Sequence, residues 1–218
     1  MADLWLFDID GTLVDTGGAG MRALQEAATL CFGGEGPPLD LAGSTDLGVV
    51  YGILEHFGLE PEDEAIDSFF RTYLERLEWN LAHGGYPGRV LPGVVALLER
   101  LHADESVHLG LLTGNIAGGA AAKMRHYGLD RFFPFGAYGC DHADRNLLGP
   151  VAAERAANHT GRSFTPDEIV VVGDTPKDIA CAKALGAPCI AVATGKFTAD
   201  ELRAHGAERV VETLEEVQ

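Results

Sequence analysis

The stretch Leu4-Trp5-Leu6-Phe7-Asp8-Ile9-Asp10-Gly11-Thr12-Leu13 decides how this chain of 218 residues is read. Its four leading apolar residues read as a short strand buried on both faces. The strand runs straight into two carboxylates one residue apart, then a glycine and a hydroxyl. Acids at the mouth of a buried strand require a cation, because a buried charge without a partner is costly. Alone, the segment also reads as an Asx-type turn, with Gly11 at positive φ and Thr12 capping a helix. The rest of the chain decides between the two.

After Thr12 the period becomes helical. Met21, Leu24, Ala27, Ala28 and Cys31 recur at steps of three and four until Gly33 to Pro38 end the run. Ser44, Thr45 and Asp46 suit the cap of a second helix carrying Leu47, Val50, Ile53, Leu54 and Phe57. A third helix shows a broad apolar stripe from Ile66 to Leu81. Residues 15–86 therefore read as an all-α insert bracketed by Gly- and Pro-rich stretches. Beyond Pro87, helices alternate with apolar runs. A helix follows Leu91-Pro92-Gly93, with Pro92 near its first turn. Strands are expected at Val107–Leu112, Phe135–Tyr138, Ile169–Val172, Cys189–Ala193 and Val210–Val211, with helices between them. This alternation predicts an α/β fold, a Rossmann-like parallel sheet with helices on both faces. The core spans residues 1–14 and 87–218, and the small α-helical cap, residues 15–86, is inserted after the first strand.

Ligands of such sheets bind beyond the carboxyl ends of the strands. Three strands here end in polar loops: Asp8 to Thr12, Thr113-Gly114-Asn115, and Gly173-Asp174-Thr175-Pro176-Lys177-Asp178. Together they bring Asp8, Asp10, Asp174 and Asp178 to one edge, where mutual repulsion requires protons or a cation. Oxygen ligands without Cys or His favour a hard ion, and Mg2+ is the usual one beside a phosphate. Thr113, Asn115 and the N–H of Gly114, ahead of a helix N-terminus, suit an oxyanion. A carboxylate, a hard cation and an oxyanion pocket together favour phosphoryl transfer through an aspartyl-phosphate.

These three motifs, in this order and spacing, resemble the signature of the haloacid dehalogenase superfamily of phosphohydrolases, and the resemblance covers essentially the whole chain. Gly43-Ser44-Thr45-Asp46 and Leu91-Pro92-Gly93 are similar to its phosphoglycolate-phosphatase-like branch, and the helical insert resembles its cap. The resemblance implies that Asp8 attacks phosphorus and that Asp10 protonates the leaving oxygen and later activates water. It further implies that Asp8, the Asp10 carbonyl and Asp174 hold Mg2+, with Asp178 ligating directly or through water. Thr113, Asn115 and the N–H groups around Ile9 and Gly114 would bind phosphate. Where the family usually carries a Lys, this chain has Arg145, which is not its equivalent; Lys177 is the alternative cation.

The implied enzyme is a Mg2+-dependent phosphatase acting on a small phosphorylated metabolite. A sugar-phosphate mutase and a non-catalytic phosphate-binding module stay open. Asp10 argues against a dehalogenase, and the absence of lysine between Met1 and Ala122 argues against a phosphonate hydrolase that needs a cap lysine. The net charge of −17 argues against nucleic-acid or anionic-membrane partners. The four cysteines lack zinc-site spacing and, with no signal-like or membrane-spanning segment, imply a cytoplasmic protein; a monomer or homodimer is expected. Arg22, His56, Arg71, Arg76, His83 and Arg89 are possible cap contacts to substrate.

Overall fold

In the computed structural model, which describes residues 2–34 and 36–217, Leu4–Phe7 forms strand β1, fully buried. A two-residue strand, β2 (Val14–Asp15), follows, and then three helices, α1 (Ala19–Phe32), α2 (Asp46–His56) and α3 (Asp63–His83). The chain returns through β3 (Arg89–Val90) and α4 (Val94–His102). It then alternates β4 (His108–Leu112), α5 (Ala117–His126), β5 (Gly136–Ala137), α6 (Leu148–Thr160), β6 (Ile169–Gly173), α7 (Pro176–Leu185), β7 (Cys189–Val192), α8 (Ala199–Ala204) and β8 (Arg209–Val211).

Six strands form one parallel sheet in the order β5-β4-β1-β6-β7-β8. Strand β1 lies between β4 and β6, with Phe7 level with Leu111 on one side and Val172 on the other. The chain's direction of progress along the sheet reverses at β1, which makes its carboxyl end the switch point where such sheets bind ligands. Alternation along β1 splits the core. Trp5 and Phe7 pack with α4 and α5, through residues such as Leu98 and Met124. Leu4 and Leu6 pack with α6, α7 and α8, through Ala152, Ile179 and Leu202. Helices α1, α2 and α3 close a third core around Leu24, Ile53, Phe69 and Leu77, joined by Ile116 and Ala122 at α5.

One element is not expected from the sequence. Strands β2 and β3 pair antiparallel, Val14 with Val90 and Asp15 with Arg89, in a small ribbon where the chain enters and leaves the helical segment. Two-residue strands carry no periodicity to read. Pro92 stands just ahead of α4, close to its first turn as expected. The helix starts at Val94 behind Gly93, whose φ of 82° is a left-handed value that glycine adopts without strain.

Candidate active site

Asp8, Thr113 and Asp174 each follow the last residue of a strand, and those strands, β1, β4 and β6, are neighbours in the sheet. The three motifs therefore meet at one edge, as their spacing predicts. Asp178 joins them from the first turn of α7, where Thr175 and Asp178 form a reciprocal capping box behind Pro176. Its Oδ2 accepts from the Thr175 N–H at 3.0 Å and the Thr175 hydroxyl at 2.7 Å. Asp174 Oδ1 accepts from the Thr12 hydroxyl at 3.1 Å. Gly11 and Gly195 press against the same carboxylate so closely that a Cβ on either would overlap Asp174 Oδ2.

Carboxylate oxygens of Asp8, Asp174 and Asp178 all lie within 4.8 Å of one another, and all three residues are buried. A single guanidinium serves them. Arg145, itself buried, is ion-paired with Asp178, lies 3.3 Å from Asp8 Oδ1 and donates to the Leu112 carbonyl at 3.3 Å. Its Nε is a buried donor with no acceptor among the described residues. Burial pushes the Asp8 carboxyl up to about 6, against the pull of Arg145 and a hydrogen bond from the Thr113 hydroxyl. Burial and the charges of Asp178 and Asp8 also hold Asp174 well above the usual carboxylate range. Burial works against the Arg145 charge, yet Asp178 and Asp8 keep the guanidinium protonated above even its ordinary range. Three buried carboxylates against one cation is a donor set with charge to spare, and its all-oxygen chemistry fits a hard divalent ion.

Asp10 sits apart from that cluster, its side chain 43% exposed. Oδ2 accepts from Asn115 Nδ2 at 2.9 Å and from the ammonium of Lys123 at 2.5 Å. Asn115 Nδ2 also donates to the Thr113 hydroxyl at 2.9 Å, while its Oδ1 accepts from Lys123 at 2.6 Å. The N–H groups of Ile9 and Gly114 meet no acceptor among the described residues and are free to donate to an anion. Lys177 lies elsewhere: its exposed ammonium donates to the Ser44 hydroxyl at 2.8 Å, at the mouth of the site.

Over these groups closes the loop that precedes α2. The Asp46 N–H donates to the Gly114 carbonyl at 2.7 Å, and the Thr45 hydroxyl to the Ala143 carbonyl at 2.7 Å. The Asp46 carboxylate accepts from the Ile116 N–H at 2.9 Å, capping α5 from the opposite lobe. Thr45 caps α2, as the sequence suggested. The partly open chamber measures about 270 Å³. Asp8, Asp10, Asp174, Arg145 and Lys123 line it together with the apolar Met21, Leu24 and Val49 and with Tyr73. Arg22, His56, Arg71, Arg76, His83 and Arg89 do not line it; Arg22 and Arg76 instead pair with Glu26, at 2.9 and 2.7 Å.

Sequence reasoning missed Lys123 and Tyr73 as residues of the site, and had Asp46 only as a helix cap within a branch motif. The one signal for Lys123 was a cation set among the small and apolar residues of Ala120-Ala121-Ala122-Lys123-Met124, two turns into the helix that leaves the Thr113 motif.

A parallel sheet whose first strand delivers one aspartate beside a second, with acids from a later strand and helix completing the cluster, defines a hydrolase of the haloacid dehalogenase type. The family model for haloacid dehalogenase-like hydrolases matches residues 5–192, and the chain belongs to that family. Within it the chain is a phosphoric monoester hydrolase of the phosphoglycolate-phosphatase type. It is 28% identical to a probable phosphatase, IndB, of Dickeya dadantii, over all of this chain and 92% of that one. It is 29% identical to a phosphoglycolate phosphatase of Rhodospirillum rubrum, covering 87% and 79% of the two chains. A 5'-nucleotidase of Pseudomonas aeruginosa is also 29% identical, over 92% and 86%. The fold is similar to that of CbbY from Rhodobacter sphaeroides, crystallised with phosphate, with a TM-score of 0.77 at 22% identity over 100% and 96% of the chains.

Proposed function

We propose that this enzyme is a Mg2+-dependent phosphatase that cleaves a small phosphate ester through an aspartyl-phosphate on Asp8. The observation that carries the reading is the pairing of two differently served carboxylates two residues apart. Asp8 is buried against Arg145 and the acids of β6 and α7, while Asp10 faces the chamber. Asp8, Asp174, the carbonyl of Asp10 and, directly or through water, Asp178 would hold the ion. Bound there, it would neutralise charge on the phosphoryl oxygens and on the nucleophile.

This chain's own residues do the rest. The Thr113 hydroxyl, accepting from Asn115 and donating to Asp8, fixes the nucleophilic carboxylate. The N–H groups of Ile9 and Gly114 receive phosphoryl oxygens at the start of α5. Arg145 is the charge clamp, its unpartnered Nε offering a further donor beside Asp8. Asp10 gives a proton to the leaving oxygen and then takes one from the water that cleaves the acyl-phosphate. Lys177, held at the rim by Ser44, stays outside this set.

A chamber of about 270 Å³ falls below the range of roughly 300–1,000 Å³ typical of drug-sized ligands, which supports a small leaving group. Phosphoglycolate, the substrate named for several relatives, is the first ester to try. Four unpaired cysteines, and the absence among the described residues of a helix able to cross a membrane, support a cytoplasmic setting.

The test is phosphate release from 2-phosphoglycolate, hexose phosphates and a nucleoside monophosphate, with Mg2+ or a chelator, using Asp8→Asn as control. Release that needs the metal and falls by at least about a thousandfold in the control is expected. Release that survives the control would overturn the aspartyl-phosphate. No release from folded protein would point to a mutase or a binding role.

A further inference from the structure

The ammonium of Lys123 is among the least exposed charges in the molecule, at 4%, and it sits where three features of the site meet. It donates to Asp10 Oδ2 at 2.5 Å and to Asn115 Oδ1 at 2.6 Å, and it lines the chamber that Met21 and Leu24 also line. Gly20 of α1 packs beside it, at a distance where a Cβ would make an ordinary contact of 3.5 Å with Lys123 Nζ.

Two consequences follow from the donors around it. First, the Asn115 amide is fixed in one orientation, because its oxygen is taken by Lys123. Its NH2 is thereby turned to Asp10 Oδ2 and the Thr113 hydroxyl. Second, Asp10 Oδ2 accepts from two donors, while Oδ1 accepts from none of the described residues. An oxygen receiving two N–H bonds has no room to aim a proton of its own at those same groups. In the acid form of Asp10, the proton therefore resides on Oδ1, on the side of the carboxyl left for the substrate.

We propose that Lys123 is the positioning residue for the proton donor, holding Asp10 so that Oδ1–H faces the leaving-group oxygen. This rests on the reading of Asp8 as nucleophile and Asp10 as acid. In the step concerned, Asp8 Oδ forms the bond to phosphorus as the P–O bond to the leaving group breaks. The bonding pair stays with the leaving oxygen, and the proton on Asp10 Oδ1 passes to it. Lys123 does not touch the reacting atoms and gives up no proton.

The effect is readable because leaving groups differ in their need for that proton. An alkyl phosphate leaves as a strongly basic alkoxide and requires it; a nitrophenyl phosphate leaves as a stabilised phenolate and does not. The experiment compares kcat/KM for 2-phosphoglycolate, or the best alkyl ester of the panel, with kcat/KM for p-nitrophenyl phosphate. It uses the parent, Lys123→Met, Lys123→Gln and Asp10→Asn. The ratio of the two constants within one preparation is independent of the fraction folded. Lys123→Met is expected to lose about a hundredfold on the alkyl ester and less than about tenfold on the aryl ester, the size of a displaced general acid. Lys123→Gln, which keeps one donor for Asp10, should recover part of the loss on the alkyl ester alone. Equal losses on both esters, or none on either, would overturn the positioning role and leave Lys123 a packing residue. Asp10→Asn separates the two levels of the argument. Because Asp10 also serves the later water step, this variant is read in the single-turnover release of the leaving group. If release from the aryl ester is spared and that from the alkyl ester lost, Asp10 is the acid and the Lys123 result stands by itself. If both are lost alike or neither is, the reading of Asp10 falls and the inference falls with it.

Discussion

Arg145 and Lys123 are both buried cations, and each bridges two groups of the site, yet they serve opposite ends of the reaction. Arg145 lies among the carboxylates of Asp8 and Asp178 and answers to charge that is permanent. Lys123 holds Asp10 and Asn115, and answers to geometry at the end where the leaving group departs. The guanidinium, which stays charged even when buried, suits the first task, with its Nη2 set between Asp8 and Asp178 and bonded to the Leu112 carbonyl. The compact ammonium suits the second, where one amide and one carboxyl oxygen stand close together. A net charge of −17 thus conceals a site in which two cations are placed individually.

The comparison is broken most sharply at Arg145. Arg145→Ala should cost on the order of 10²–10³ in kcat/KM, because a charge clamp in a water-excluded site is lost. Unlike Lys123→Met, it should cost the same on alkyl and aryl esters, since the phosphoryl group is common to both. Arg145→Lys, which restores one cation without the fork, should recover part of that loss. A rate near the parent's would instead transfer the clamp to Lys177.

Asp46 sharpens the contrast from the cap side. Burial pushes it up to about 6, against the pull of Lys123 and the Ile116 N–H. A folded-state value above the unfolded one means that the folded protein keeps the proton between the two. The stability tied to Asp46 is therefore present in acid and is lost as pH rises through about 6. Asp46→Asn removes that dependence while keeping an acceptor for Ile116. Thermal melts should show the variant more stable at pH 8 by about 1–3 kcal/mol, from a shift of roughly two units at 1.36 kcal/mol each. The gap should be roughly halved at pH 5 and close only below about pH 4, where the unfolded carboxyl is protonated too. A gap unchanged between the two pH values would show that the Asp46 charge is not confined.

The smallest effect is expected at Lys177. Its ammonium is exposed and bonded only to Ser44, so Lys177→Ala should stay within about threefold of the parent in steady-state kinetics. A loss approaching that of Arg145→Ala would erase the distinction between buried and rim cations.

The sequence revealed the fold and one half of the site for the same physical reason. Apolar runs such as Ile169–Val172 and the polar loops that end them are contiguous, so their pattern is local. Asp8, Asp174 and Asp178 are legible because acids at strand ends and in a capping box break that pattern conspicuously. Lys123 meets Asp10 across 113 residues of chain, and Asp46 meets the Ile116 N–H across 70, so both join the site only through tertiary packing. No local period encodes such a meeting. The β2–β3 ribbon escaped for the opposite reason: its strands are too short to have a period at all.

That ribbon has a consequence for how such an enzyme diversifies. By pairing Asp15 with Arg89 it brings the entry and the exit of the helical insert side by side. The entropy of closing the intervening loop is then offset locally, and closure cost grows only slowly with length. Strand β1 can keep its register against β4 whatever the length or composition between those two residues. The catalytic sheet and the chamber's roof are in this sense separately editable. A lineage can exchange the roof to accept a different alcohol without touching the strand ends that hold phosphorus.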